Sequence, residues 1–320
     1  MAFRFKLNEP VEKGFRRIGL EQIERAEREL TASDTLEIAT HETRKSLKRI
    51  RALLRLARPG LGDTIYRAEN ARFRDIGSLL SSARDSDVLL ETVTKLETLP
   101  GEVANAALAA VKKLILDARE HSGPARSVGT REALEKLATA KKKFRRLKLE
   151  PDDFSTIERG IAQSYRRGRH ALAAAYADGA DEAFHEWRKA VQQHWRQMAL
   201  VSRAWPAFFE ARVEAARALS QILGDDHDLF LLVTYVHTVP ADRLSAMHVG
   251  EIERQARARQ SELRKLAEPR GRQLFAGGAG GLGRRIRVIW EAGEQIVQNE
   301  GDIAHGSAAD EKPQASKLRS

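Results

Sequence analysis

The chain has 320 residues, of which 42% are hydrophobic and 6% aromatic, a composition that favours a helical globular protein over a β-sandwich. A net charge of +10 indicates a polyanionic partner, either nucleic acid, an anionic membrane surface or a phosphate polymer. The absence of cysteine excludes disulfide bonds and thiol catalysis and fits a reducing cytoplasm. No run approaches about 18 apolar residues, and the first residues lack the apolar segment of a signal peptide, so we expect no membrane association.

Apolar residues recur at helical spacing along almost the whole chain, and Pro and Gly interrupt this pattern at intervals. The predicted helices cover residues 11–30, a segment ending at 58, 61–82, a segment starting at 85, 102–121, 130–149, 153–176, 181–204, 207–223, 227–238, 241–267 and a last segment ending near 298. No alternating apolar run suggests a strand, so we expect an all-α fold. The clearest boundary is at Glu150-Pro151, which predicts a first helical bundle over residues 8–150, a second over 151–300 and a disordered tail over 301–320.

The segment from His41 to Arg58 is predicted to be an amphipathic helix with an unusual polar face. At about 100° per residue, its polar and apolar side chains fall on opposite arcs. The cationic arc consists of His41, Arg44, Lys45, Lys48, Arg51 and Arg55, and the apolar arc of Leu47, Ile50, Leu53, Leu54 and Ala57. The only acid after the helix start is Glu42, so these cations repel one another unless an anion lies on them.

The same pattern occurs a second time, which indicates an internal repeat. His185, Glu186, Arg188 and Lys189 match the first segment at the same relative positions. Two further matches lie in the same order on either side of the two segments: Arg16-Arg17 with Arg166-Arg167, each after an aromatic residue, and Asp85 and Asp87 with Asp226 and Asp228. The repeated unit is therefore about half of the chain.

These paired segments resemble the CHAD family, the conserved histidine α-helical domain, over roughly residues 8–300. The first copy has His41, Arg44, Lys48, Arg49 and Arg51 at the family's basic positions. The resemblance implies two helical bundles related by a pseudo-twofold axis, with basic residues of both lining a shared surface or pore. It also implies binding of inorganic polyphosphate and targeting to polyphosphate granules, rather than catalysis.

Two sequence features qualify this resemblance. Gln192 and Gln193 stand where the family usually has Lys or Arg, which should weaken the second side of an anion site. The chain also lacks the ExExK motif of the triphosphate-processing domains to which some members are fused, so it resembles the stand-alone type.

The spacing of the cations agrees with a phosphate polymer on chemical grounds. A helix with a cation every turn or less offers charges roughly 5 Å apart to a chain of evenly spaced phosphates. The cationic arc of the first segment, called the first stripe below, has no aromatic residue on which a base could stack, which argues against a nucleic-acid partner. The corresponding cations of the second segment, which begin at His185, form the second stripe. The predicted polyphosphate contacts are Arg16, Arg17, His41, Arg44, Lys45, Lys48, Arg49, Arg51, Arg55, Arg166, Arg167, His185, Arg188, Lys189 and Arg196. No catalytic residue, metal or cofactor is predicted, and the oligomeric state is left open.

Several roles remain open at this stage. His41 and His185 are expected to contact the anion, with bracing of the helix start, or a metal-binding or phosphoryl-acceptor role, as alternatives. The four repeat aspartates can be helix caps, partners of the stripe arginines or metal ligands. Trp187 and His194 are expected in the core, whereas Trp195 lies at the edge of the second stripe. The competing functions are a phosphate-processing enzyme and an RNA-binding module.

Overall fold

The computed structural model describes residues 3–33, 35–80, 82–98, 102–120 and 123–310, with side chains for 3–33, 35–80, 86–98, 106–118 and 129–300. Every regular element in these ranges is helical, which confirms the predicted all-α fold. The α-helices are α1 Val11–Ala32, α2 Leu36–Leu56, α3 Arg58–Leu61, α4 Asp63–Leu79, α5 Ser82–Glu97, α6 Glu102–Glu120, α7 Gly123–Phe144, α8 Phe154–Asp178, α9 Asp181–Val201, α10 Pro206–Thr238, α11 Ala246–Leu274 and α12 Ala279–Asp310. None of the described helices combines the length and hydropathy needed to cross a bilayer.

Helix α10 corrects the prediction of two helices with a break at Asp225 and Asp226. The helix runs without interruption through both residues. Their carboxylates are engaged by other elements: Lys95 Nζ contacts Asp225 Oδ1 at 3.0 Å, and Arg264 Nε contacts Asp226 Oδ1 at 2.7 Å. Because these partners satisfy the carboxylates, the aspartates do not compete for backbone groups and do not end the helix.

Helix α12 continues to Asp310, beyond the predicted end near Gln298. It therefore extends into the segment that we expected to be disordered, and this part of the prediction is wrong for residues 301–310. Residues 311–320 lie outside the described residues.

The two repeat helices, α2 and α9, lie at the centre of the fold. Helix α1 packs along α2, α8 packs along α9, and α2 also contacts both α8 and α9. The predicted apolar arc of α2 is buried in the core, which confirms that prediction. Apolar clusters join elements from both halves, since α5 and α6 share one cluster with α10 and α11. The two halves are therefore in intimate contact.

The crossing of α8 over the end of α2 depends on Gly160. A Cβ at Gly160 would lie 1.8 Å from the backbone oxygen of Leu56, a distance that no side chain can occupy. The absence of a side chain lets the two backbones touch. This contact places Arg167, two turns further along α8, beside the cationic face of α2.

Candidate anion-binding site

The cationic faces of α2 and α9 line one cavity of about 430 Å³. Helices α5, α8 and α10 complete its wall. Eight Lys and Arg side chains contribute to the lining in the described part of the chain: Arg44, Lys48, Arg51, Arg55, Arg167, Arg188, Lys189 and Arg196. Side chains that the sequence places in two separate repeats are thus brought to one basic cavity.

Neighbouring groups hold two of the α2 arginines in place. Arg44 Nη1 donates to the backbone oxygens of Gly77 at 3.1 Å and Leu80 at 3.3 Å, at the C-terminal end of α4. Arg51 Nε donates to Asn70 Oδ1 at 3.0 Å. The carbonyl groups at a helix C-terminus favour a nearby cation. These bonds orient the guanidinium groups without neutralising their charge.

Burial and mutual repulsion disfavour the charged state of the deeper arginines. Burial, with Arg167 and Arg51 nearby, lowers the pKa of Arg55 to about 10. Burial, together with Arg49, Arg217 and Arg188, lowers the pKa of Arg196 to about 9. Both remain charged near neutral pH, although the Nε atom of each is buried and lacks a hydrogen-bond partner among the described residues. An anion in the cavity would reduce the repulsion between the arginines and would accept hydrogen bonds from their unsatisfied donors.

The carboxylate of Glu186 lies within the cationic lining. Its Oε1 is 2.6 Å from Lys189 Nζ and its Oε2 is 2.7 Å from Arg167 Nη2. Burial alone would raise the pKa of Glu186, but these two cations hold it below its usual value. Glu186 is therefore ionised at neutral pH and neutralises part of the cavity's positive charge.

Two histidines form part of the same wall. His185 of α9 and His227 of α10 stack with ring centroids 3.9 Å apart and an interplanar angle of 22°. Burial, together with the neighbouring ring and nearby cations, lowers the pKa of His227 to about 3. The sequence predicted His185 as a site residue but did not predict His227.

A smaller cavity of about 190 Å³ adjoins the main one along α2. It shares Arg44, Lys48 and Arg51 with the main cavity and adds Arg74 of α4. Three cations of α2, Arg44, Lys48 and Arg51, therefore line both of these adjoining depressions.

The structure does not bring six of the predicted contacts into the cavity lining: Arg16, Arg17, His41, Lys45, Arg49 and Arg166. Arg16 contacts Glu12 at 2.6 Å, and Arg17 contacts both Glu9 and Glu21. Arg16 and Arg17 therefore form ion pairs on α1 and lie outside the cavity lining, and their contact with polyphosphate stays a prediction.

The other four residues also lie outside the cavity lining. Lys45 Nζ contacts Glu42 Oε1 at 2.6 Å. Arg49 is half-buried and its Nη1 donates to Gln22 Oε1 at 3.4 Å. Arg166 is exposed on α8, next to Arg167, which does line the cavity. His41 is half-buried at the start of the stripe and does not line the cavity.

The repeat aspartates act in different ways. Asp226 is buried and bonded to Arg264, and it lies inside α10, so it is not a helix cap. Asp228 lines the main cavity. The side chain of Asp85 lies outside the described residues. In the described part of the chain, no group of three or more His, Asp or Glu side chains is placed to share a metal ion.

Trp187 and His194 lie in the core, as predicted. Trp187 is fully buried, and His194 accepts a hydrogen bond from Arg212 Nε at its Nε2 atom, at 2.9 Å. Trp195 lies between two guanidinium groups, with its ring centroid 4.3 Å from Arg196 Cζ and 4.7 Å from Arg217 Cζ. Its indole therefore touches the second stripe.

Comparison with known proteins agrees with this architecture. A sequence model of the CHAD domain matches residues 17–237. The structure is similar to the crystal structure of the CHAD domain from the plant Ricinus communis, with a TM-score of 0.55 and 18% sequence identity, covering 87% of this chain and 97% of that one. A search of curated proteins found no match. Because the family match spans more than half of the chain, the protein belongs to the CHAD domain family.

Proposed function

We propose that the basic cavity binds inorganic polyphosphate and that the protein is a binding module without catalytic activity. The observation that carries the proposal is the convergence of eight cations from both repeats on one cavity, against two lining carboxylates, Glu186 and Asp228. Binding of polyphosphate is associated with the CHAD family. A pseudo-twofold relation between the two halves and association with polyphosphate granules remain part of this proposal.

The character of the lining supports a phosphate polymer over RNA. Arginine and lysine provide many donors to non-bridging phosphate oxygens, and polyphosphate presents no other recognition group. Among the described lining residues there is no Phe, Tyr or Trp on which a base could stack. Trp195 contacts Arg196 at the edge of the stripe, which is the one observation that favours the RNA alternative.

Calorimetric titration of the full chain with polyphosphates of defined length tests the proposal. We expect affinity to rise with chain length until the cavity is filled, and to fall when salt is added. The variant Arg44→Glu/Arg188→Glu should lose retention on a polyphosphate resin. Arg67→Glu/Arg270→Glu makes the same change of charge at exposed positions outside the cavity and should be retained.

Three outcomes would contradict the proposal. Normal retention of the Arg44→Glu/Arg188→Glu variant, with an unchanged circular dichroism spectrum, would show that the cavity is not the binding site. RNA that displaces long-chain polyphosphate at equal charge concentration would favour the RNA-binding alternative. Release of phosphate from tripolyphosphate, or an acid-labile phosphohistidine, would favour the enzyme.

A further inference from the structure

The stacked histidines differ from the other groups of the basic cavity because the ordinary pKa of histidine lies close to neutral pH, so a change in their surroundings can change their charge. His185 and His227 come from different helices and lie ring against ring at 3.9 Å. The Nδ1 atom of each is buried and has no hydrogen-bond partner among the described residues. A buried polar nitrogen without a partner is unfavourable, so the pair has hydrogen-bonding capacity that the protein itself does not use.

The surroundings keep this pair neutral when no anion is present. Burial lowers the pKa of His185, and Lys189 adds to this effect. Burial, His185 and Arg188 lower the pKa of His227. Cations on three helices face the pair across the cavity: Arg188 and Lys189 of α9, Arg44 and Lys48 of α2, and Arg167 of α8. The carboxylates around it are Asp181, Glu182 and Glu186 of α9 and Asp228 of α10, and α5 contributes Val88, which is apolar.

A phosphate chain would reverse this balance. Its negative charges would lie among the same cations that now disfavour protonation, and its oxygens would accept hydrogen bonds from a protonated ring. Two imidazolium rings stacked at this distance would repel each other strongly. The pair therefore has room for one added proton, shared between two coupled sites, rather than for two.

We propose that His227 is a phosphate-contacting residue and that it forms one proton-accepting unit with His185, so that polyphosphate binding takes up at most about one proton from solvent. The inference rests on the proposed function of the cavity. The proton moves from the buffer acid to a ring nitrogen, and no other bond is made or broken. Affinity should consequently increase as pH falls from about 8 to about 6, by at most about tenfold per pH unit.

Calorimetry in two buffers of different ionisation enthalpy measures this proton uptake directly. The full chain is titrated with long-chain polyphosphate near pH 7 in each buffer, and the difference in heat gives the number of protons. His227→Phe keeps a ring for stacking on His185 but cannot be protonated. His237→Phe is the matched control, because His237 lies on the same helix, is exposed and contacts Glu253 instead of the cavity.

Polyphosphate end groups also titrate near neutral pH, so the difference between proteins is the decisive quantity. We expect His227→Phe to take up fewer protons than the wild type and the His237→Phe control to match it. Equal uptake and equal affinity in wild type and His227→Phe would overturn the inference, while the polyphosphate-binding function would stand. Absence of binding by the wild type at both about pH 6 and about pH 8 would overturn both.

If His227→Phe fails to fold, the wild type alone still decides the question. The imidazole Cε1 proton signals of the wild type are followed by NMR as pH is changed, with and without tripolyphosphate. The pKa of one histidine of the pair should rise when tripolyphosphate is added. Unchanged titration of both rings at saturating tripolyphosphate contradicts the inference.

Discussion

Arg55 of α2 and Arg167 of α8 lie on the wall of one cavity although they belong to different repeats. Burial lowers the pKa of Arg55 to about 10, and Arg167 is the cation that contributes most to this shift. Two positive charges held this close gain from an anion that lies between them.

The dependence of polyphosphate affinity on salt should report how many of the cavity cations take part. Each phosphate that is neutralised by Lys or Arg releases counterions, at about 0.7 per contact for a single-stranded polyanion. With eight lining cations, the slope of log affinity against log salt should reach about −4 to −6. A slope near −1 in fluorescence or calorimetric titrations would mean that the polymer contacts only one or two of them.

Gln193 offers a substitution that should strengthen binding. It lines the cavity in the second repeat, where the family usually has a basic residue. Gln193→Lys should tighten binding by roughly two- to fivefold, the range expected for one partly exposed ion pair. Gln193→Glu should weaken binding to a similar degree, and titration calorimetry of both variants checks the sign. Equal affinities for the two would exclude contact between this position and the polymer.

Trp195 should report occupation of the cavity by its fluorescence. Its ring lies between Arg196, which also lines the cavity, and Arg217. A phosphate that draws Arg196 toward it alters the field at the indole, so polyphosphate should cause a saturable change in emission. Trp195→Phe should remove this change and leave the affinity measured by calorimetry within about twofold of wild type, because the indole itself does not line the cavity. Persistence of the full signal in that variant would assign it to another tryptophan.

His194 should make the protein less stable in mild acid. Burial, with Arg212 nearby, lowers the pKa of His194 to about 3, whereas an unfolded chain has a histidine pKa of about 6.5. Between these values the unfolded state binds more protons, so the free energy of unfolding falls as pH decreases through this window. Thermal melts from about pH 7 to about pH 5 should show a falling midpoint.

His194→Gln tests the source of this effect, since glutamine retains an acceptor for Arg212 but does not titrate. The midpoint of the variant should depend less steeply on pH. Some dependence should remain, because the lowered pKa of His227 acts in the same direction. Identical slopes in wild type and variant would rule out His194 as a contributor.

Gly160 should be the glycine whose substitution most directly disturbs the assembly of the cavity. An added Cβ would meet the backbone oxygen of Leu56 at 1.8 Å, so Gly160→Ala must push α8 away from α2. We expect a loss of at least about 2 kcal/mol in the free energy of unfolding, together with weaker polyphosphate binding. Gly250→Ala is the control, because no atom lies within 4 Å of its added Cβ, and it should be neutral or stabilising by up to about 1 kcal/mol. Urea denaturation compares the two variants.

The helical class and the cationic face of α2 could be predicted because both follow from local periodicity, whereas the shared cavity was expected only from the resemblance to the CHAD family. The apolar arc of α2 lies in the core, and Arg44, Lys48, Arg51 and Arg55 share the cavity lining. Lys45 and Arg49 lie about 100° and about 140° from Arg44 around the helix axis, so a stricter reading of the helical phase would have separated them from the stripe. The positions of Lys45 and Arg49 outside the cavity therefore follow from the same helical periodicity that places the other α2 cations in its lining.

Other features depend on contacts that the sequence does not show. Lys95 and Arg264, the partners of Asp225 and Asp226, come from other helices, so the continuity of α10 was not predictable from the residues around Asp226. His227 lines the cavity from within the continuous α10, and no feature of the repeat marked it as a site residue. The role of Arg17 could have been found, because Glu21 lies one helical turn away and forms an ion pair with it.

The position of Glu186 also affects how fast a bound polyanion would dissociate from the cavity. A polymer that binds Lys189 and Arg167 would have to displace the Glu186 carboxylate, which pairs with both cations. Because Glu186 lies on α9 beside Lys189, its carboxylate can pair with them again as soon as the polymer moves away. Glu186 is therefore an intramolecular competitor, which would shorten the residence time of a bound polymer and leave the cavity accessible. Under the proposed function, this competition favours rapid exchange of bound polyphosphate over long retention.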